Sequence, residues 1–314
     1  MLTALWGFST TARTIPALVK DVNEGPEGSE VFQTYSGHTN GQSGIMPLGN
    51  GKAIVLLENG SQLGLYVTDG ISAGTTRLMQ MPAETRLITS PHTINGVRYF
   101  WLGSTPGSDP VMLPRLWRSD GTVSGTYELR SADGKLLYGV GSIARLGDKL
   151  IFAANETGVG ASSLWVSDGT EPGTVKLTPY CTEVGATYGS PSFSDFDSDG
   201  LNGYPYFGVT ACTSPGHELW RTDGTNDGTE RVAQISASTN GLPPVFMKYA
   251  GEQVFFRGYT DETGFELWAS DGSEAGTRMV ANLVTDAGHG RPPPLSSIGN
   301  KVLFSATSDV FAHE

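Results

Sequence analysis

The chain has 314 residues and a formal net charge of −12, with Lys+Arg 20 against Asp+Glu 32. Such a surface repels phosphate backbones, which argues against nucleic acid as a partner, and no apolar run approaches the length that spans a bilayer, so membrane insertion is not expected. Charged residues make up only 17%, while Gly (42) and Pro (18) are abundant, a mix that suits short strands joined by tight turns and is costly in helices.

The opening, Met1-Leu2-Thr3-Ala4-Leu5-Trp6, has neither a basic stretch nor a long apolar core, so no signal peptide is visible. Either the protein is cytosolic, or it is exported and the signal is absent from this chain. Leu5-Trp6 is the first, eroded copy of a repeat that becomes plain further on. Leu65-Tyr66-Val67-Thr68-Asp69-Gly70 returns as Leu116-Trp117-Arg118-Ser119-Asp120-Gly121 and Leu164-Trp165-Val166-Ser167-Asp168-Gly169. It returns again as Leu219-Trp220-Arg221-Thr222-Asp223-Gly224 and Leu267-Trp268-Ala269-Ser270-Asp271-Gly272. Each copy runs on into a Gly-Thr pair, and the aspartates are 51, 48, 55 and 48 residues apart. That period fits a propeller blade of four strands. In the clear copies an apolar residue follows the motif Leu by 13 positions, and Leu18 keeps that distance from Leu5.

An apolar strand precedes each motif: 53–57, 97–101, 150–153, 204–207, 254–256 and 302–304. Most follow a two-residue turn signal, Asn50-Gly51, Asn95-Gly96, Gly147-Asp148 or Gly299-Asn300, as a β-hairpin requires. Each blade therefore reads as four strands: A and B in a tight hairpin, C carrying Leu-Trp, and D after Gly-Thr. The expected fold is all-β, a six-bladed β-propeller of four antiparallel strands per blade, in one domain over 1–314. Its last blade would be closed by C and D strands from residues 5–22 and A and B strands from 294–314.

The motif has a structural explanation. Leu and the aromatic point to opposite faces of strand C, and both can be buried when sheets lie on either side. Asp accepts hydrogen bonds from backbone N–H groups just ahead in an Asx turn, and the glycines are expected to take positive φ. Five catalytic aspartates are not needed to account for the pattern.

Glu266-Leu267-Trp268-Ala269-Ser270-Asp271-Gly272-Ser273 and His217-Glu218-Leu219-Trp220-Arg221-Thr222-Asp223-Gly224-Thr225 resemble the bacterial ELWxxDGT repeat. Leu18-Val19-Lys20-Asp21-Val22-Asn23-Glu24-Gly25 is similar to the segment that follows Gly-Thr in those repeats. The resemblance covers nearly the whole chain and implies a propeller-like array, usually in exported or cell-surface bacterial proteins. It implies no reaction. The chain departs from it at Tyr66 and Ile71, in the N-terminal turn, and in an insertion in blade four.

The short A–B and C–D turns are expected at one end of the blades, and the variable B–C and D–A connections at the other. Function belongs with the variable connections, because binding residues concentrate on loops over a rigid scaffold. Tyr35, His38, His92, Tyr180, Tyr188, His289 and Arg291 are the ligand-binding candidates there. All five histidines are expected in these connections, without the paired spacing that pre-forms a metal site. Asp195, Asp197 and Asp199, followed by Gly200 and the Leu201 carbonyl, have the start of a calcium loop but lack its late carboxylate. Calcium and a solvated acidic turn both stay open. Cys181 and Cys212 fall at one end of one blade, where a disulfide would accompany export.

Two functions follow. One is a non-enzymatic module that binds a glycan, peptide or protein surface through the variable loops. The other is a propeller hydrolase or lyase with a metal centre on the axis. The first is favoured, because every strong motif has a structural role and no catalytic constellation remains.

Overall fold

The computed structural model describes residues 30–31, 45–59, 62–82, 85–87, 92–104, 113–139, 143–158, 162–177, 200–210, 216–238, 240–282 and 296–304. The regular secondary structure of these residues is strand, apart from one short 3-10 turn at Ser72–Gly74. No helix among them is long and apolar enough to cross a membrane. The chain falls into two compact units, residues 1–130 with 136–140, and residues 131–135 with 141–314.

The first unit holds two antiparallel sheets. Sheet 1 is built from β1 (Glu30–Val31), β2 (Ile45–Pro47), β3 (Ala53–Asn59), β4 (Gln62–Thr68) and β5 (Thr76–Met81). Sheet 2 is built from β6 (Thr85–Leu87), β7 (His92–Ile94), β8 (Val97–Ser104), β9 (Arg115–Ser119) and β10 (Tyr127–Glu128). In both, the expected A strand is split into two short pieces that lie along one edge of strand B.

The second unit continues the pattern. Sheet 3 is the meander β11 (Ile143–Leu146), β12 (Lys149–Ala154), β13 (Ser163–Ser167) and β14 (Val175–Leu177). Sheet 4 contains β15 (Tyr206–Thr210), β16 (His217–Arg221) and β17 (Glu230–Ser236). Sheet 5 is β18 (Val245–Ala250), β19 (Gln253–Thr260), β20 (Gly264–Ser270) and β21 (Arg278–Ala281), and β22 (Ser296–Ile298) with β23 (Lys301–Leu303) forms a two-stranded sheet beside β18.

The B–C register repeats. The residue opposite the motif aromatic is Phe100 for Trp117, Phe152 for Trp165, Phe207 for Trp220 and Phe256 for Trp268, with Val55 opposite Tyr66 in sheet 1. Leu and Trp then face different neighbours. In the second unit Leu164 and Val166 of sheet 3 pack with Phe207, Val209 and Trp220 of sheet 4. Leu219, Val232 and Ile235 of sheet 4 pack in turn with Met247, Phe256 and Trp268 of sheet 5. In the first unit Leu65 and Val67 pack with Phe100, Leu102 and Trp117. Within each unit the motif Leu thus faces the following sheet and the aromatic the preceding one, and sheet 4 shows both contacts, Leu219 on sheet 5 and Trp220 on sheet 3. Each such side chain contributes roughly 1.5–3 kcal/mol on burial, so Leu219 and Trp220 join sheets 3, 4 and 5.

The A–B turns follow expectation except in sheet 1. Asn95 (φ 52) and Gly96 (φ 76) between paired Ile94 and Val97 form the mirror-image two-residue turn. Gly147 and Gly299 open the equivalent turns at φ 54 and 57. Asn50-Gly51 was expected to form the same turn, but the connection there runs from Pro47 to Ala53. The Leu48 N–H reaches the Lys52 carbonyl at 2.9 Å, and Gly49 and Gly51 take φ 83 and 77 at the tip. Two glycines around Asn50 make a wider loop the easier closure.

Candidate functional site

The sheet ends differ in chemistry. At the C–D turns, one hydrogen-bond pattern recurs. In sheet 3, the Gly169 N–H donates to Ser167 Oγ (2.9 Å), Ser167 Oγ meets Thr174 Oγ1 (2.7 Å), and Thr174 Oγ1 donates to the Thr170 carbonyl (2.6 Å). The Asp168 carboxylate takes the Thr170 N–H at 2.9 Å and its hydroxyl at 2.7 Å, while Thr170 Oγ1 takes the Gly173 N–H at 3.1 Å. Those bonds from Thr170 hold the Asp168 carboxyl below the usual carboxylate range. Sheets 2, 4 and 5 reproduce the set around Asp120, Asp223 and Asp271. Sheet 1 has Ile71 at the Thr position; it keeps the bonds through Thr68 and Thr75, while Asp69 accepts only the Ile71 N–H.

The two glycines of the motif have different roles. Gly169 takes φ 87, as expected. Gly173 was expected to do likewise but has no positive φ; a Cβ there would collide with the Asp168 carboxylate, and the same holds at Gly74, Gly125, Gly228 and Gly276. The second glycine makes room for Asp. At this end the repeated polar groups bind one another.

The other end is irregular. Its best-defined part lies where the connection after β17 meets the β19–β20 turn. His217, at the start of β16, is 1% exposed and sits edge-on to the Tyr259 ring at 6.5 Å. Its Nε2 lies 2.6 Å from the Asn240 carbonyl, which can only accept, so Nε2 carries the proton; Nδ1 is 3.3 Å from Thr210 Oγ1. Burial lowers its pKa, and the ring is neutral and enclosed. The Asp261 carboxylate accepts from Asn240 Nδ2 (3.0 Å) and from the Tyr259 hydroxyl (3.2 Å). Hydrogen bonds from Ser238 and Asn240 keep it ionised below the ordinary range. Asp261 and Asn240 are exposed, so a carboxylate and a side-chain amide are fixed in place on the surface. The arrangement offers directed hydrogen bonding, with the imidazole buried behind it.

Among the sequence candidates, His92 and Leu201 are described. His92 opens β7 opposite Tyr99, so it and His217 stand at strand starts, not within connections. Burial and the nearby Arg98 guanidinium push the His92 pKa down to about 3. Leu201 is buried, and its carbonyl accepts the Tyr204 N–H at 3.1 Å across a tight turn through Asn202 and Gly203. Tyr35, His38, Tyr180, Tyr188, His289, Arg291, Asp195, Asp197, Asp199, Cys181 and Cys212 lie outside the described residues. Among the described residues no group of three or more His, Cys, Asp or Glu is placed to hold a metal ion. Asn240, Tyr259 and Asp261 were missed by sequence reasoning. Their signal was weak: a Ser238-Thr239-Asn240-Gly241 connection and an acidic turn two residues past a Tyr.

No family model matches the chain, and no curated protein does. Among solved structures it is similar to TolB from Acinetobacter baumannii, at 14% identity and a TM-score of 0.39, over 84% of this chain and 63% of that one. It is also similar to the β-propeller domain of the Trilobed protease from Pyrococcus furiosus, at 12% identity and 0.38, over 73% and 63% of the two chains. A third similarity is to an oligogalacturonate lyase in complex with manganese, at 12% identity and 0.46, over 82% and 75%. The chain thus spans just under two thirds of the length of the TolB and Trilobed protease chains it matches. Likeness at this level transfers neither a reaction nor a ligand.

Proposed function

We propose that the sheets are blades of a six-bladed β-propeller, the last shared between residues 5–22 and 294–314, and that the molecule is a non-enzymatic binding module. Recognition belongs to the B–C and D–A connections. The observation that carries this reading is the contrast between the two sheet ends. The C–D turns are near copies whose Asp, Thr and Ser side chains are engaged with one another. The other end varies and fixes Asp261 and Asn240 at the surface. Ordered acceptors and donors beside Tyr side chains suit a sugar, so a glycan is the first ligand class, with peptide and protein surfaces next. The resemblance to exported repeat proteins supports a periplasmic, secreted or cell-surface location.

Glycan-array binding followed by titration tests the reading. Tyr35→Ala, Tyr188→Ala, Arg291→Ala and Asp261→Ala should weaken binding by more than about 1 kcal/mol at one or more positions. Thr122→Ala and Thr170→Ala, at the opposite end, serve as controls. Loss of affinity in the controls with full affinity in all four loop variants would overturn the assignment.

A further inference from the structure

Asn240 is held at its N–H, its carbonyl and its side chain. The N–H donates to Ser238 Oγ at 3.0 Å, the carbonyl accepts from His217 Nε2 at 2.6 Å, and Nδ2 donates to Asp261 Oδ1 at 3.0 Å. The next residue, Gly241, takes φ 77, and a Cβ there would come within 2.3 Å of the Tyr259 ring. The connection therefore lies flat against β19. The turn that carries Asp261 is closed by its own hydroxyls: Thr260 Oγ1 meets Thr263 Oγ1 at 2.8 Å and takes the Thr263 N–H at 3.2 Å. Both exposed groups are thus fixed before any ligand arrives, which keeps the ordering cost of binding low.

The bonding capacity left over is specific. A carboxylate has about four lone-pair positions, and on Asp261 hydrogen bonds from Asn240, Tyr259 and Ser238 occupy three of them. One acceptor position remains. Asn240 keeps Oδ1 as an acceptor and the second N–H of Nδ2 as a donor, neither with a partner among the described residues. We infer that this pair takes a neutral sugar through two adjacent hydroxyls, one donating to the Asp261 carboxylate and its neighbour bonding the Asn240 amide. The inference rests on the binding-module reading and gives it a ligand class. A hydroxyl both donates and accepts, so two of them can match acceptors on both residues and the lone donor. An ammonium or guanidinium only donates, and would leave the Asn240 N–H facing a cation. A uronate carboxylate only accepts, and it meets the like charge of Asp261 in a chain of net charge −12. The bond from a hydroxyl to the ionised carboxylate is the stronger of the two, because it is charge-assisted.

The full chain is screened against neutral hexose glycans, uronate glycans and Lys- or Arg-rich peptides, and the tightest neutral glycan is titrated beside its uronate counterpart. The neutral glycan should bind about tenfold more tightly. Asp261→Asn keeps the shape and removes the charge, so it should weaken the neutral glycan by about tenfold and narrow its lead over the uronate. Asn240→Ala should weaken the neutral glycan without narrowing that lead, because the charge stays. Removing either of two adjacent hydroxyls from the glycan should cost wild-type protein a similar factor, a measurement that needs no variant. Uronate bound as tightly as the neutral glycan would overturn the inference and leave the binding-module reading standing. So would neutral binding that survives both variants but is lost in Tyr188→Ala or Arg291→Ala. Preference for basic peptides, lost in Asp261→Asn, would overturn it in favour of a cationic ligand. Binding of none of the probes would overturn both.

Discussion

A Cβ on Gly173 would run into the carboxylate of Asp168, five residues earlier in the same turn. The carboxylate sits there because it accepts two hydrogen bonds from Thr170. Gly173→Ala should therefore cost about 2–3 kcal/mol, as expected of overpacking combined with a broken turn network. The double variant Asp168→Ala with Gly173→Ala should lose less than the two single losses added together, because the clash needs both partners. Denaturant unfolding of the four proteins measures this, and simple additivity would count against it.

Sheet 1 carries the reverse opportunity. Ile71 is 59% exposed where the other turns have a hydroxyl. Ile71→Thr can restore the bonds that Thr170 makes to Asp168 and Gly173. The expected gain is about 0.5–1.5 kcal/mol, read as a higher denaturant midpoint at unchanged slope.

His92 sets a pH dependence. Its folded pKa is about 3, below the ordinary histidine value, because burial and Arg98 disfavour the charged ring. The unfolded chain then binds the extra proton between the two values. Stability from this group is present above the unfolded pKa of about 6.5 and is lost as pH falls toward the folded value. The melting temperature should fall from pH 7 to pH 4, and less so in His92→Gln. The His92 ring resonances should show no titration between pH 5 and 8.

The acidic insertion of blade four is proposed to bind Ca²⁺ through Asp195, Asp197 and Asp199. A chelator should then lower the melting temperature by mass action, and Asp197→Ala should remove the difference. Coincident curves for wild type with and without chelator would leave a solvated acidic turn.

The Cys181–Cys212 pairing is likewise a proposal, tied to export. Alkylation of unreduced, oxidatively prepared protein followed by intact-mass analysis should find no free thiol. Two alkylated cysteines would remove the bond.

Strands B and C were legible from sequence because hydrophobic runs and the Leu-Trp motif each mark a period-2 ladder with both faces covered. The Asx turns were equally legible, since Asp-Gly-Thr states its own hydrogen bonds. The division of A strands into β6 and β7 was not, because short edge pieces carry little pattern. Gly173 was misread because sequence shows a glycine but not whether backbone angle or space requires it. At the candidate site, Asp261 meets Asn240 only after two different loops are brought together. No spacing rule links residues whose proximity is set by sheet packing.

In sheets 2, 4 and 5 the first glycine of the turn also lies against the sheet before it. A Cβ on Gly224 would meet Leu146 at 2.7 Å, and one on Gly121 would meet Leu48 at 2.9 Å. The residue that lets a turn close is thus the one that lets the next copy nestle against its predecessor. A duplicated segment spliced into such a run arrives with its contact surfaces already matched on both sides. Lengthening the array by gene duplication then requires no newly evolved interface, whereas an isolated repeat leaves both its Leu and its Trp faces bare.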